Sequence, residues 1–389
     1  MIDGDIQLEL RKFVAPEYIF GVGSRFMAAN YCKKLGGKTL LLVTDQGVML
    51  TSWMDELKKA LNEAGLEYVI FSSISPNPRD YEVMDGLAVY LENKCNLILA
   101  IGGGSVIDCA KGIGIVTTNH KHICDFEGVD KILHPIPPMV CIPTTGGTSA
   151  DVSQFAIINN YTKKYKMAII SKAIVPDVAL IDPLVLTTMD PFLTACTGID
   201  ALSHAIEAFV SNANSAFTDL YAVEAIKLLH QNLRLNIEKP LDIQARGKVM
   251  LASLYAGLAF SNASLGCVHS LAHSLGGYLD LPHGECNAIL LPHVVDYNFD
   301  KASDRYRTIA GLMQLEVSGV SDRNIKQNLV KHLIQIKQDM SIMATLKTKG
   351  VTSDVVGSLA GKAILDPCNV TNPKRPDKRD LEVIINEAM

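Results

Sequence analysis

Asp200 and His204 are four residues apart, Glu207 follows three later, and His269, His273 and His283 come further on. On a helix, residues i and i+4 project from the same face, so Asp200 and His204 point one way, and His269 and His273 repeat that spacing. One carboxylate and imidazoles arriving from a later helix and from Leu281-Pro282-His283-Gly284, read as a tight turn, make the donor set of a divalent cation. Asp200, His204, His269 and His283 are therefore the candidate metal ligands. By donor type they suit iron(II), zinc, manganese or cobalt, and spacing does not choose among these. Nor does spacing alone separate a structural ion from a catalytic one, which would act as a Lewis acid toward an alcohol or carbonyl oxygen.

A second chemistry is written upstream. In Ile101-Gly102-Gly103-Gly104-Ser105 an apolar run enters three glycines, and Asp108 lies three residues beyond Ser105 in the pattern of a capping box. Glycines let backbone approach a pyrophosphate closely, and the free N–H groups of a helix start supply donors. A plain connecting turn fits the same residues, because the G-x-G-x-x-G fingerprint is missing. A second loop of this kind, Pro143-Thr144-Thr145-Gly146-Gly147-Thr148, favours nucleotide binding. Asp45, at the end of an apolar strand, is placed to accept from ribose hydroxyls and to repel a 2′-phosphate, which selects NAD over NADP.

The elements needed to hold these groups are legible. Thr39–Thr44, Tyr68–Phe71, Asn96–Ile101 and Met139–Ile142 read as buried strands, and Ser52–Ala64 and Asp80–Lys94 as helices between them. That alternation predicts a Rossmann-like parallel sheet covered by helices. From Asp190-Pro191, a good helix start, long helical patterns follow over Pro191–Ser211, Ala216–Asn236, Ile243–Ser261 and Gly266–Leu279. The expected organisation is an α/β nucleotide-binding domain over residues 1–187 and an all-α, metal-binding domain over 188–389.

Composition narrows the partners. A net charge of −5 with no basic run argues against nucleic acid. No apolar run reaches the roughly 18 residues of a spanning helix, and Met1-Ile2-Asp3-Gly4-Asp5 has no leader-like pattern, so a cytoplasmic protein without a membrane partner is expected. The nine cysteines are scattered and form no C-x-x-C pair. Cys267 and Cys286, although close to candidate ligands, read as buried packing residues.

The chain resembles the iron-containing (group III) alcohol dehydrogenases, relatives of glycerol dehydrogenase and dehydroquinate synthase. The resemblance is carried by the glycine and threonine loops above, Pro176–Pro183, Gly198–Glu207, His269–His273, Leu281–Gly284 and Asn372-Pro373-Lys374, nearly the whole length. It implies a dehydroquinate synthase-like fold, the same four metal ligands with iron(II) favoured and zinc(II) possible, and His273 as a proton relay near the substrate. It further implies pyrophosphate binding by Gly102, Gly103, Gly104 and Ser105, and NAD contacts from Asp45, Thr144, Thr145, Thr148 and Lys166. Without the resemblance, Lys166 in Lys164-Tyr165-Lys166 reads as a solvated surface lysine.

The implied activity is hydride transfer between a short alcohol, or the matching aldehyde, and NAD, in a homodimer or larger assembly. Phe155 stands where diol-active relatives can carry asparagine, and Phe260 and Cys368 are further pocket candidates. Two alternatives stay open. Leu10–Pro16 and Thr148–Phe155 look like the regulatory, alcohol-dehydrogenase-like branch, and a hydroxyacid–oxoacid transhydrogenase would use the same scaffold.

Overall fold

A computed structural model describes residues 10–389; the N-terminal stretch read above for a leader lies outside the described residues. The strands are β1 (Glu17–Phe20), β2 (Thr39–Val43), β3 (Glu67–Phe71), β4 (Leu97–Gly102), β5 (Gly128–Val129), β6 (Met139–Pro143), β7 (Phe155–Asn160), β8 (Tyr165–Ile170) and β9 (Val178–Ile181). Helices α1 (Ala28–Lys34), α2 (Gln46–Met49), α3 (Ser52–Glu63), α4 (Asp80–Glu92) and α5 (Gly104–Asn119) alternate with them.

Six strands form one parallel sheet in the order β1-β9-β6-β4-β2-β3. Its central strands are apolar on both faces because helices cover both. Leu40 and Leu42 of β2 join one core, whereas Leu41 and Val43 join the core on the opposite face. The chain runs from β2 outward to β3 and then returns to the other side of β2 with β4, so a crevice opens at the carboxyl ends of β2 and β4. A smaller sheet, β5-β8-β7, was not foreseen. Its antiparallel hairpin β7–β8 packs against α5 and against a helix of the second half.

That half is helical: α6 (Pro191–Val210), α7 (Ala216–Glu238), α8 (Ile243–Ala263), α9 (Cys267–Leu279), α10 (His283–Asn298), α11 (Ser303–Leu312), α12 (Asp322–Asp339), α13 (Ser353–Ala363) and α14 (Lys378–Glu387). Asp190 caps α6 by accepting from the Leu193 N–H at 2.9 Å, and Pro191 takes the first helical position, as the sequence predicts. Every residue of α6 from Thr194 to Val210 is buried, so this helix is the axis around which α7, α8 and α10 pack. Among the described residues no single helix is long and apolar enough to cross a membrane.

Two local expectations are corrected. Helix α5 begins at Gly104 with Gly103 as its cap and no side-chain cap, so Ser105 and Asp108 form no capping box. Three glycines already allow the backbone to turn, and Asp108 faces inward toward Lys111 and Lys166 instead. His283 is not in a free turn but opens α10, with Pro282 in the capping position.

Candidate metal centre and nucleotide cleft

Helix α6 presents Asp200, His204 and Glu207 on one face, α9 supplies His269, and the first residue of α10 is His283. The Oδ1 atom of Asp200 lies 3.8 Å from His204 Nε2, 3.6 Å from His269 Nε2 and 3.8 Å from His283 Nε2. A tetrahedral site with bonds of about 2.1 Å has edges of about 3.4 Å, and the three distances from Asp200 are a few tenths of an ångström longer. The donor atoms of Asp200, His269 and His283 all lie within 4.8 Å of one another, while His204 stands beside Asp200 but outside that group. Cys267 and Cys286 are buried, and burial pushes both thiols up, Cys286 to about 12, consistent with packing roles.

The ligand rings are held by their other nitrogens. His269 Nδ1 meets Glu207 Oε2 at 2.6 Å, while Glu207 Oε1 accepts from the Val268 N–H at 2.7 Å. His204 Nδ1 lies 3.3 Å from the carbonyl of Gly147 in the threonine loop. Both contacts aim Nε2 at the centre, as orienting partners of metal-bound histidines do. Gly284 lets α10 start against α6, since a Cβ there would overlap the Cys196 carbonyl.

Burial and neighbouring charge set the protonation of these groups in opposing directions. Burial opposes ionisation of Asp200, yet His204 and the other histidines hold its pKa below the usual carboxylate range. Burial lowers His204 to about 4 and depresses His283 as well, leaving both neutral and able to donate a lone pair. His269 is the exception: against burial, its hydrogen bonds to Asp200 and Glu207 raise it to about 9.

Two cavities meet at this centre. One, of about 600 Å³, runs from Asp45, Gly47 and Trp53 past Gly103, Gly104, Ser105, Thr144, Thr145 and Thr148 to Asp200 and His283. Every one of its nucleotide candidates follows the carboxyl end of β2, β4 or β6, where open sheets bind ligands. Asp45 also caps α2 by accepting from the Val48 N–H at 2.9 Å. Gly102 lies deeper, where a Cβ would overlap Val106, so it serves the packing of β4 on α5.

The second cavity, about 90 Å³, abuts Asp200, His204 and His283 and is walled by Phe155, Phe260, Ser105, Thr148 and Lys166. Phe260 stacks on His204 at 4.3 Å between ring centres, and Phe155 meets Phe260 edge-on at 5.6 Å. Lys166 is buried, not a surface lysine, and burial pushes its ammonium pKa down. Asp108 faces the same space, and burial raises its carboxyl to about 7 against the pull of Lys111 and Lys166.

His273 stacks on His283 at 5.4 Å, and its Nδ1 lies 2.7 Å from Asp366 Oδ2. It faces a third cavity of about 250 Å³ that it shares with Lys166 and Asp366. Cys368 is fully buried, its sulfur grouped with His273 and Asp366.

Sequence reading missed the role of the Gly147 carbonyl, Asp366, and Asn287, whose Nδ2 donates to Asp200 Oδ1, and left Glu207 without a role. Glu207 was findable, since positions 200, 204 and 207 share a helix face, and Asn287 stands four after His283. Asp366 carried no signal, being far from His273 in the chain.

The description "Iron-containing alcohol dehydrogenase" matches residues 15–183, and "Fe-containing alcohol dehydrogenase family, C-terminal" matches 194–389. The chain is 38% identical to the 1,3-propanediol dehydrogenase of Klebsiella pneumoniae, over 97% of this chain and 96% of that one. It is 36% identical to the NAD-dependent methanol dehydrogenase of Bacillus methanolicus, over 97% and 99% respectively. A crystal structure of a 1,3-propanediol oxidoreductase superposes with a TM-score of 0.94 at 37% identity, covering 98% of this chain and 100% of that one. The chain belongs to the iron-containing alcohol dehydrogenase family.

Proposed function

We propose that the protein is a metal-dependent oxidoreductase that passes hydride between a short, simple alcohol, or its aldehyde, and NAD. The observation that carries this reading is the unbroken cleft from Asp45 to Asp200 and His283, which leads a dinucleotide's far end to the candidate ligands. Relatives named as alcohol, propanediol and methanol dehydrogenases and as lactaldehyde reductase support it.

Asp200, His204, His269 and His283 would hold the cation, and iron(II) is the choice that family membership supports. When bound, the cation supplies Lewis acidity toward an alcohol or carbonyl oxygen, and the nicotinamide supplies the hydride carrier. Backbone N–H groups at Gly103, Gly104 and Ser105, opening α5, offer donors to a pyrophosphate, joined by the hydroxyls of Thr144, Thr145 and Thr148. Asp45 would accept from the ribose hydroxyls, and Lys166 would reach the cofactor from the metal side. Phe155 and Phe260 wall the reacting space with apolar rings, excluding water and suiting an unfunctionalised carbon chain. Asp366 would accept from His273 Nδ1, leaving Nε2 to take a proton in the relay role proposed for this residue. Residues 1–187 and 188–389 divide this work between nucleotide and metal.

A second copy of the chain is the proposed partner. Strand β1 lies at the edge of the sheet with Tyr18 40% and Phe20 37% exposed, which supports pairing between copies.

The test is an oxygen-free assay of iron-loaded protein with short primary alcohols, NAD and NADP side by side. Turnover with NAD in clear preference is expected, and Asp45→Gly should raise relative use of NADP about tenfold by removing like-charge repulsion. Absence of turnover with every alcohol and aldehyde would sink the reading, and an NADP preference in the wild type would remove the role of Asp45.

A further inference from the structure

Asn287, one turn after His283 on α10, is fully buried. Its Nδ2 donates to Asp200 Oδ1 at 2.6 Å and stands 3.2 Å from His269 Nε2 and 3.3 Å from His283 Nε2. One side-chain amide thus covers three of the four candidate ligand atoms. Among the described residues, Asn287 and His269 belong to the wall of neither the nucleotide cavity nor the metal cavity, whereas Asp200 and His283 line both. The amide therefore lies behind the centre, on the side away from the reactants. Its own Oδ1 is buried without a hydrogen-bond partner, so the contact with Asp200 is the interaction that sets its orientation.

We propose that Asn287 is a positioning residue of the metal centre: its N–H holds Asp200 Oδ1 on the cation, and its neutral amide blocks further donors from the rear. With Asn287 on the rear, a bound cation would be approached from the cavities that Asp200 and His283 line. The inference rests on the metal-centre reading above. A carboxylate at this place would turn an anionic oxygen donor toward the cation where Nδ2 now stands, and an apolar group would leave Asp200 untethered. In either case the consequence appears in metal binding itself, before any turnover.

Cobalt(II) is the probe, because its visible absorption is strong with four ligands and weakens as ligands are added. Wild type, Asn287→Leu and Asn287→Asp are loaded as full-length protein, and affinity is read by competition with a chelator. Asn287→Leu should bind cobalt about 10–100-fold more weakly, the usual effect of removing a group that orients a ligand. Asn287→Asp should retain cobalt with clearly weakened absorption. If the leucine variant does not fold, the aspartate spectrum decides alone. Wild-type affinity in Asn287→Leu, or a wild-type spectrum in Asn287→Asp, overturns the proposal. Failure of the wild type to take up cobalt overturns the metal-centre reading beneath it, a distinguishable outcome.

Discussion

Glu207 reaches from α6 to the ring of His269 and to the Val268 N–H, tying the start of α9 to the helix that carries Asp200. Glu207→Ala should therefore weaken metal binding about 10–100-fold, measured by metal content after dialysis against a chelator. The same contact sets a pH dependence. In the metal-free protein the pKa of His269 is raised to about 9 from 6.5. A raised histidine stabilises the fold fully below pH 6.5, and that contribution fades as pH rises through 9. Urea midpoints of metal-free protein should accordingly fall across this window, and less so in Glu207→Ala. Because a cation must displace that proton, uptake at neutral pH should release about one proton per ion, readable by calorimetry in buffers of different ionisation enthalpy.

At the scale of elements, the meeting of α6 and the start of α10 shows how closely helices must approach to converge the ligands. Gly284→Ala would drive a methyl group into the Cys196 carbonyl and should cost about 1–3 kcal/mol in urea unfolding while moving His283 off the centre. Loss of the cap in Asp190→Ala should cost about 0.5–2 kcal/mol without changing metal content.

The long helices were legible because caps such as Asp190 and apolar periodicity agree, and β2, β4 and β6 because both faces are buried, whereas the short β9, equally buried, was not read. Strand β1 escaped reading, since its half-exposed edge carries no continuous apolar run. The hairpin β7–β8 hid for a different reason: its polar Asn159, Asn160 and Lys166 are buried, so composition mimics a loop. Ligand residues were visible through spacing, but Asp366 and the Gly147 carbonyl were not, because backbone acceptors and distant partners leave no periodic trace.

At the scale of the molecule, the metal donors all belong to the helical half, while the cleft is walled by both halves. Across its mouth Asn77 Nδ2 donates to Asp280 Oδ1 at 2.9 Å, and Arg79 pairs with Asp280 Oδ2 at 2.7 Å. Asp280 is about half exposed, so Asp280→Ala should change unfolding free energy by no more than about 1 kcal/mol. It should instead speed nucleotide release, seen by stopped-flow fluorescence of NADH.

Asp200 and His283 are reached along the cavity proposed for the nucleotide. A cofactor bound there as proposed would act as a stopper on this path: the ion would enter ahead of the nucleotide and leave more slowly while the nicotinamide end fills the cleft. Chelator stripping should slow in proportion to nucleotide occupancy, making metal retention a matter of traffic order as much as of affinity.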